Sequence, residues 1–174
     1  MLTFLNLEAE GFCSIESLHL QLNPTCTILI KAPNGKGKST ILSALVWAIY
    51  GKNLKGVSEV NTWKQVRPKD YKGTKVQVYF QKDSHTYKIV RCQKYDEVLE
   101  DGAKGKDRLI FMKDGDIVDI KGKGKIQDFI NREIGLSYTL FMNSIMFGQG
   151  IKRLIQESNS DKKKIFEEVF DLEF

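Results

Sequence analysis

The chain has 174 residues, of which 41% are hydrophobic and 28% are charged, and its formal net charge is +5. This length and composition indicate a globular chain of one domain or a large part of one, and they exclude a disordered protein. Since no uninterrupted apolar run reaches the roughly 18 residues of a membrane span and no signal peptide is evident, we expect no membrane association and an intracellular location, cytoplasmic or, in a eukaryote, nuclear.

The first part of the chain predicts three strands. Residues 2–10 alternate weakly between apolar and polar side chains, and residues 15–22 alternate clearly. With the short link at residues 11–14, this pattern is typical of an antiparallel pair. Residues 26–31 are mostly apolar and predict a buried strand.

A glycine-rich turn follows this third strand directly. Residues 32–40 read Ala-Pro-Asn-Gly-Lys-Gly-Lys-Ser-Thr and precede an apolar stretch with the length of a helix. Between a strand and a helix, this sequence predicts a phosphate-binding P-loop, in which backbone N–H groups and the helix N-terminus face a polyphosphate. Lys38 is expected to reach the β- and γ-phosphates, and the Ser39 hydroxyl is expected to hold Mg²⁺. The usual pattern has a glycine where this chain has Ala32.

The middle of the chain predicts a helix, a loop and two further hairpins. Residues 39–50 are apolar on almost every side, so they predict a buried helix that Gly51 can end. Residues 52–73 are polar and predict a loop. Alternating patterns around short polar turns predict the hairpins at residues 76–91 and 109–120.

The remaining segments predict connectors and helices. Residues 102–106 are expected to form a flexible tip, and the glycine- and lysine-rich residues 121–125 a mobile connector. The apolar spacing that follows predicts a helix at residues 126–134, a short helix at 138–143 capped by Ser137, an apolar strand at 144–147 that enters Gly148-Gln149-Gly150, and a charged helix at 160–174.

Positive charge is concentrated around the P-loop. Between Lys31 and Lys75, ten basic residues are opposed only by Glu59 and Asp70, which gives this stretch a net charge of +8. This favours a polyanionic partner, a nucleotide first and a nucleic acid second, while a solvated lysine surface is the alternative. The three cysteines have no metal-ligand spacing and indicate ordinary reduced thiols.

Four motifs, spread in order over nearly the whole chain, resemble one known family. They are the turn Phe12-Cys13-Ser14, the P-loop at residues 34–40, the stretch Phe147-Gly148-Gln149-Gly150 and the charged helix at residues 161–172. In this order they resemble the N-terminal lobe of the SMC-like DNA-repair ATPases of the SbcC/Rad-fifty group, whose phage members serve in recombination nucleases. The resemblance implies an α/β fold: the N-terminal lobe of an ABC-type P-loop ATPase, with a mixed sheet of antiparallel strands around the P-loop helix, followed by helices.

The same resemblance implies ATP and Mg²⁺ as ligands. Gln149 matches the family's Q-loop glutamine, so it is expected to act with Lys38 in hydrolysis and with Ser39 in holding the metal. Cys13 stands where family members often carry an arginine that contacts phosphate, and residues 67–69 are expected near the adenine. The residues expected to bind ATP are Asn34, Gly35, Lys36, Gly37, Lys38, Ser39, Thr40, Cys13, Ser14, Arg67, Pro68 and Lys69.

Two motifs of the family are missing from this chain. It contains neither an apolar strand ending in Asp-Glu nor a Ser-Gly-Gly signature, and the comparison implies that both belong to a C-terminal lobe beyond a coiled coil. Residues 1–155 are then the N-terminal lobe of the head, and residues 156–174 a helix leading toward the coiled coil. The implied partners are the C-terminal ATPase lobe, a second head in a homodimer, a nuclease subunit and DNA. An ABC-transporter subunit, a nucleotide-binding interaction domain without turnover and a small kinase stay open as alternatives.

Overall fold

The computed structural model describes residues 1–22, 27–60, 70–146, 156 and 158–170. The chain divides into two compact units, Met1–Ile134 and Gly135–Phe174. The expected boundary after residue 155 lies outside the described residues and stays a prediction.

In its described residues, the first unit is a six-stranded sheet with a P-loop helix, a second helix and a small two-stranded sheet. Its elements are β1 (Leu2–Phe12), β2 (Ile15–Gln21), α1 (Lys38–Tyr50), β3 (Thr74–Lys82), β4 (His85–Gln93), β5 (Tyr95–Val98), β6 (Lys104–Lys106), β7 (Leu109–Lys113), β8 (Asp116–Ile117) and α2 (Lys123–Ile134).

The large sheet has the strand order β2-β1-β3-β4-β7-β8, and β5 pairs with β6 separately. All of these pairings are antiparallel. The three hairpins predicted from alternation are therefore confirmed, as is the α/β class with antiparallel strands around a P-loop helix. The predicted alternation is clearest in β3, where Val76, Val78 and Phe80 are buried and the residues between them are half-buried.

The core of this unit lies where α1 meets the sheet. Helix α1 contacts β1, β3 and β4, and its residues from Ala44 to Tyr50 are all buried, as the apolar pattern predicted. Phe12 of β1 packs on Trp47 of α1 with 5.6 Å between the ring centroids. Burying one such side chain stabilises the fold by about 1.5–3 kcal/mol, so these contacts anchor the P-loop helix to the sheet.

The strand predicted before the P-loop is not formed in the described part of that segment. Residues 27–31 have no strand structure, and Leu29 is 85% exposed while Ile28 is 39% exposed. A strand needs a neighbour to accept its main-chain hydrogen bonds, and the sheet of the described residues places no strand beside this segment. The prediction of a buried strand is therefore wrong for residues 27–31 of this structure.

Three local predictions also need correction. Residues 123–125 of the expected mobile connector form the first turn of α2, and residues 104–106 of the expected flexible tip form β6. The expected apolar strand at residues 144–147 is not a strand over residues 144–146, because Ser144 still belongs to helix α3. Helix extension and strand pairing outweighed the local glycine and lysine content in the first two cases.

The second unit contains α3 (Tyr138–Ser144) and α4 (Asn159–Phe170). The predicted cap of α3 is confirmed, since the Ser137 hydroxyl accepts a hydrogen bond from the Leu140 N–H at 3.2 Å. Among the helices that the structure describes, none combines the length and hydropathy of a membrane span.

Candidate functional site

The P-loop curls into the N-terminus of α1 through two glycines. Gly35 has φ +79° and Gly37 has φ +82°, a left-handed backbone that favours residues without a Cβ atom. Ala32 is not among the residues with positive φ, so its methyl group meets no such strain. The loop therefore tolerates alanine at the position where the usual pattern has its first glycine.

The N-terminal end of α1 carries no side-chain cap. Gly37 occupies the N-cap position and makes no side-chain hydrogen bond, and the first turn contains no acidic residue. The first N–H groups of a helix lack partners within the helix, and the helix dipole adds partial positive charge there. This end of α1 is consequently suited to an anion.

Lys38 lies folded back across the loop. Its Nζ donates hydrogen bonds to the carbonyl oxygens of Ala32, at 2.6 Å, and Pro33, at 3.0 Å. The ammonium group is thus held beside the loop before any anion arrives. A phosphate oxygen is a stronger acceptor than these neutral carbonyls because it is charged, so the lysine can exchange one set of partners for the other.

The other P-loop side chains lie at the surface around this lysine. Ser39 is exposed and Thr40 is half-buried, one helical position apart at the start of α1. The P-loop residues that precede the N-cap and are exposed are Asn34, Gly35 and Lys36. The structure therefore brings the seven predicted P-loop residues together around one open helix end.

Ser14 is brought to the same place from the first hairpin. A Cβ atom built on Gly37 would lie 3.3 Å from the Ser14 Oγ and 3.7 Å from the Thr40 Oγ1. Its neighbour Cys13 is half-buried with φ +52°, and its N–H donates to the Val60 oxygen at 3.0 Å. Burial raises the pKa of the Cys13 thiol, so this side chain is neutral at pH 7 and supplies no positive charge in place of the family's arginine.

The turn that carries Ser14 is held by close contacts at Gly11. The Thr74 hydroxyl donates to the Gly11 oxygen at 2.6 Å, and a Cβ on Gly11 would come within 2.2 Å of the Gly73 oxygen. Since Phe12 also packs on Trp47, the turn is fixed to both β3 and α1. Ser14 thus has a defined position beside the P-loop.

Two polar side chains that the sequence analysis did not single out contact the C-terminal end of α1. Arg91 of β4 donates from Nε to the Ala48 oxygen at 2.9 Å and from Nη2 to the Ile49 oxygen at 3.1 Å. Gln127 of α2 donates to the same Ile49 oxygen at 2.9 Å and accepts from Arg91. The available signal was register, because alternation along β4 puts Arg91 on the same side as the buried Tyr87 and Ile89.

Several predicted site residues lie outside the described residues. These are Gln149 and the segment Arg67-Pro68-Lys69. In the part of the chain that the structure describes, no group of three His, Cys, Asp or Glu side chains is placed to hold a metal.

The described residues fit a nucleotide triphosphate by the chemistry of their donors. Among the described residues no side chain caps this helix end, its first turn contains no acid that would repel phosphate, and it has an ammonium group and two hydroxyl-bearing residues. A Cβ on Gly35 would have nothing within 4 Å. The loop is therefore open at Gly35.

Comparison with known families gives one match over almost the whole chain. A family model described as an AAA domain matches residues 6–173. This span includes the P-loop, most of β1, the strands that follow it, and helices α3 and α4.

Curated relatives match over most of this chain. The "DNA double-strand break repair Rad50 ATPase" of Methanopyrus kandleri is 23% identical over 95% of the chain, and the "Probable DNA double-strand break repair Rad50 ATPase" of Aquifex aeolicus is 29% identical over 97%. "Exonuclease subunit 2" of Escherichia phage RB69 is 25% identical over 89%. The chain spans 18%, 16% and 25% of the lengths of these three proteins, respectively.

Two solved structures share the fold. One, from work on "ATP-driven dimerization and DNA stimulated activation of SMC ATPases", has a TM-score of 0.57 at 19% identity and covers 96% of this chain and 99% of its own. The other, the recombination mediator protein RecF in the RecFOR pathway, has a TM-score of 0.56 at 17% identity and covers 97% of this chain and 38% of its own.

Proposed function

This chain belongs to the AAA domain family, and from that premise we propose that it is the ATP-binding half of an SMC-like ATPase that acts in DNA double-strand-break repair or recombination. The resemblance to the N-terminal ATPase lobe of the SbcC/Rad-fifty group is confirmed by the family match and by the relatives. The observation that carries the proposal is the open N-terminal end of α1, where Lys38 is held across a glycine-rich loop.

The P-loop and the neighbouring turn would hold Mg-ATP through four sets of groups. Lys38 exchanges its carbonyl partners for phosphate oxygens, and the N–H groups of the first turn of α1 donate to the same chain of phosphates. The Ser39 hydroxyl would hold Mg²⁺, and Ser14 would add a hydroxyl from the neighbouring turn. Mg-ATP supplies the reactive γ-phosphoryl group and the metal charge that balances it.

This site would be completed by other parts of the protein. Hydrolysis requires a positioned water and charge stabilisation around the γ-phosphate, which Lys38 and Ser39 provide only in part. We assign the missing groups to a C-terminal ATPase lobe. The exposed apolar side chains of Ile28 and Leu29, which lead into the P-loop without a neighbouring strand among the described residues, support a further strand from that lobe.

Gln149 would link the nucleotide to the shape of the head. We propose that it approaches the metal held by Ser39 when Mg-ATP is bound, and that residues 67–69 lie near the adenine. In the complete protein, ATP binding would then cause two heads to pair. The paired heads would bind DNA along their shared surface and control a nuclease subunit in the cytoplasm. The names of the relatives, a break-repair ATPase and an exonuclease subunit, support these partners.

The test is to measure binding and turnover separately. Isothermal titration should show Mg-ATP binding to the 174-residue chain, while steady-state hydrolysis by the same chain should be close to the uncatalysed rate. Adding the C-terminal lobe of the complete protein should restore DNA-stimulated turnover. Hydrolysis by the isolated chain at the rate of the complete head would contradict the split site, and binding without turnover in the complete protein would indicate an interaction domain.

A matched variant tests the role of Gln149. Gln149→Ala should leave the affinity for ATP nearly unchanged, because Lys38 and the P-loop N–H groups dominate binding. It should impair hydrolysis and ATP-dependent pairing of heads in the complete protein. Normal turnover and pairing in this variant would leave Gly148-Gln149-Gly150 as an ordinary turn.

A further inference from the structure

We propose that Arg91, together with Gln127, is a positioning residue for nucleotide binding: the two side chains fix the C-terminal end of α1 and thereby hold the P-loop at its other end in binding geometry. This inference rests on the proposed ATP-binding function of the same helix. The described hydrogen bonds of both residues to α1 are at its C-terminal end and not at the P-loop, so both would act through α1.

The contacts at this end of α1 come from three directions. The last carbonyl groups of a helix have no partners within the helix. Gly51, with φ +72°, donates its N–H to the Trp47 oxygen at 2.8 Å. Arg91 and Gln127 then donate three N–H groups to the oxygens of Ala48 and Ile49, so the end of α1 is tied at once to β4 and to α2.

Burying the charged guanidinium of Arg91 costs free energy, which suggests that the residue does more than stabilise the fold. Its residue is 5% exposed, and no carboxylate is among the hydrogen-bond partners that the described residues give it. Burial lowers the pKa of its guanidinium to about 10, so it is still charged at pH 7. A charged group held this far from water carries a desolvation penalty. What the guanidinium adds is direction, because its planar fork fixes two successive carbonyl groups.

The geometry of α1 converts a fixed C-terminal end into a fixed P-loop. The helix has 13 residues, which corresponds to about 20 Å, so a tilt of about 3° at one end moves the other by about 1 Å. A displacement of about 1 Å between binding groups and ligand is enough to weaken an interaction that depends on orientation. The hydrogen bonds to Ala48 and Ile49 therefore affect the position of the P-loop, which lies a full helix length away.

Arg91 is also connected to the P-loop region through a chain of aromatic contacts. The Arg91 guanidinium lies 5.9 Å from the centroid of the Trp47 ring, and Trp47 packs on Phe12 at 5.6 Å. Phe12 begins the turn that places Ser14 beside Gly37. Both the helix and the adjoining turn are consequently braced against Arg91.

Two variants and one control test the proposal in the full 174-residue chain. Arg91→Lys keeps the charge but loses the fork, and Gln127→Ala removes the α2 contact while Arg91 stays. The control is Ile110→Val, which trims a buried residue in the cluster with Val90, Cys92 and Tyr95. Ile110 pairs with Val90 and so lies on the opposite face of the sheet from Arg91.

Each variant is measured for its Kd for Mg-ATP, its Tm and the hydrogen exchange of residues 34–40 with and without nucleotide. We expect Arg91→Lys to raise the Kd about five- to tenfold and Gln127→Ala to raise it about two- to threefold, within the usual range of coupling between sites. Ile110→Val should lower the Tm and leave the Kd unchanged. If Arg91→Lys does not fold, Gln127→Ala decides.

The outcomes separate this proposal from the one it rests on. If Mg-ATP neither binds the unaltered chain nor protects residues 34–40, both proposals are overturned. If it binds, and Arg91→Lys and Gln127→Ala bind it as tightly as the unaltered chain, only the positioning role is overturned. An equal loss of affinity in Ile110→Val would also overturn that role, because the effect would then follow stability alone.

Discussion

At its N-terminal end, helix α1 begins after Gly37 with no side-chain cap and an exposed Ser39, whereas at its C-terminal end Arg91 and Gln127 donate hydrogen bonds to its carbonyl groups. The first end faces solvent, and its first N–H groups are available to a ligand. The second is buried and closed by Gly51, Arg91 and Gln127.

This difference shows how one helix can serve both folding and binding. Capping side chains at the N-terminus would stabilise α1 by about 1 kcal/mol but would compete with a phosphate. The protein omits that stabilisation and supplies it at the other end, where a cation also suits the helix dipole. Stability and binding are therefore separated along α1, and substitutions at the two ends should have different signatures.

The largest expected effect is on stability, from breaking the closed end. Arg91→Ala leaves the buried oxygens of Ala48 and Ile49 with fewer donors, at a cost of about 1–3 kcal/mol for each unsatisfied group. We expect the free energy of unfolding in urea to fall by about 2–4 kcal/mol.

The matched control is Arg132→Ala on α2. Arg132 is exposed and lies 5.4 Å from the Phe129 ring centroid, so its loss should cost no more than about 1 kcal/mol. Equal losses for the two arginines would show that the closed end of α1 has no special weight.

The second effect is on affinity, from the open end. Lys38→Ala removes a charge-assisted contact worth about 1.5–3 kcal/mol, so the affinity for ATP should fall about ten- to a hundredfold. The free energy of unfolding should change little, because the hydrogen bonds of the Lys38 ammonium go to two carbonyls of the loop itself. Titration calorimetry and urea denaturation measure the two quantities.

Lys55→Ala removes one charge from the same basic stretch at an exposed position. It should leave the affinity for ATP within about twofold of the unaltered chain, since a solvent-exposed charge at a distance is largely screened. A loss equal to that of Lys38→Ala would mean that general charge, and not the P-loop contact, governs binding.

The sequence predicted the parts of this fold that depend on neighbouring residues. Alternation located the three hairpins, and apolar spacing located α1, α2 and α3, since these patterns reflect pairing and burial within one segment. The strand at residues 27–31 failed because a strand also requires a neighbour, and the described sheet places none there. Strands β5 and β6 were missed because Lys104-Gly105-Lys106 carries no alternation of its own.

The site divides in the same way. The P-loop is a contiguous motif, so the order of residues 34–40 along the chain was sufficient to identify it. Arg91 and Gln127 are 36 positions apart, and they meet at Ile49, 42 positions before Arg91. The alternation along β4 indicates that Arg91 faces inward, but no local sequence pattern predicts which residues it contacts.

The third effect is smaller and sharpens the role of the closed end. Gly51→Ala places an alanine in a left-handed backbone conformation, which costs about 1 kcal/mol or more. The added Cβ would also lie 3.0 Å from the Arg91 Nη1. Gly56 has a similar φ of +76° but nothing within 4 Å of its Cβ position. We expect Gly51→Ala to cost about 2 kcal/mol and Gly56→Ala about 1 kcal/mol in urea denaturation. Equal losses of unfolding free energy in the two variants would show that the Arg91 side chain moves aside without a measurable cost.

The smallest effect uses two cysteines as reporters of the two ends. Cys13 adjoins Ser14 at the open end, and Cys92 follows Arg91 at the closed end. Burial raises the pKa of both thiols, that of Cys92 to about 12, and only the thiolate reacts with iodoacetamide. In a Cys26→Ser background at about pH 8, Cys13 should react more slowly than a free thiol, and Cys92 should stay unmodified. Raising the pH should speed Cys13, because its thiolate fraction grows, and Mg-ATP should slow it by covering the adjoining loop. Equal rates for both thiols, read by mass spectrometry, would contradict the contrast between an open and a closed end.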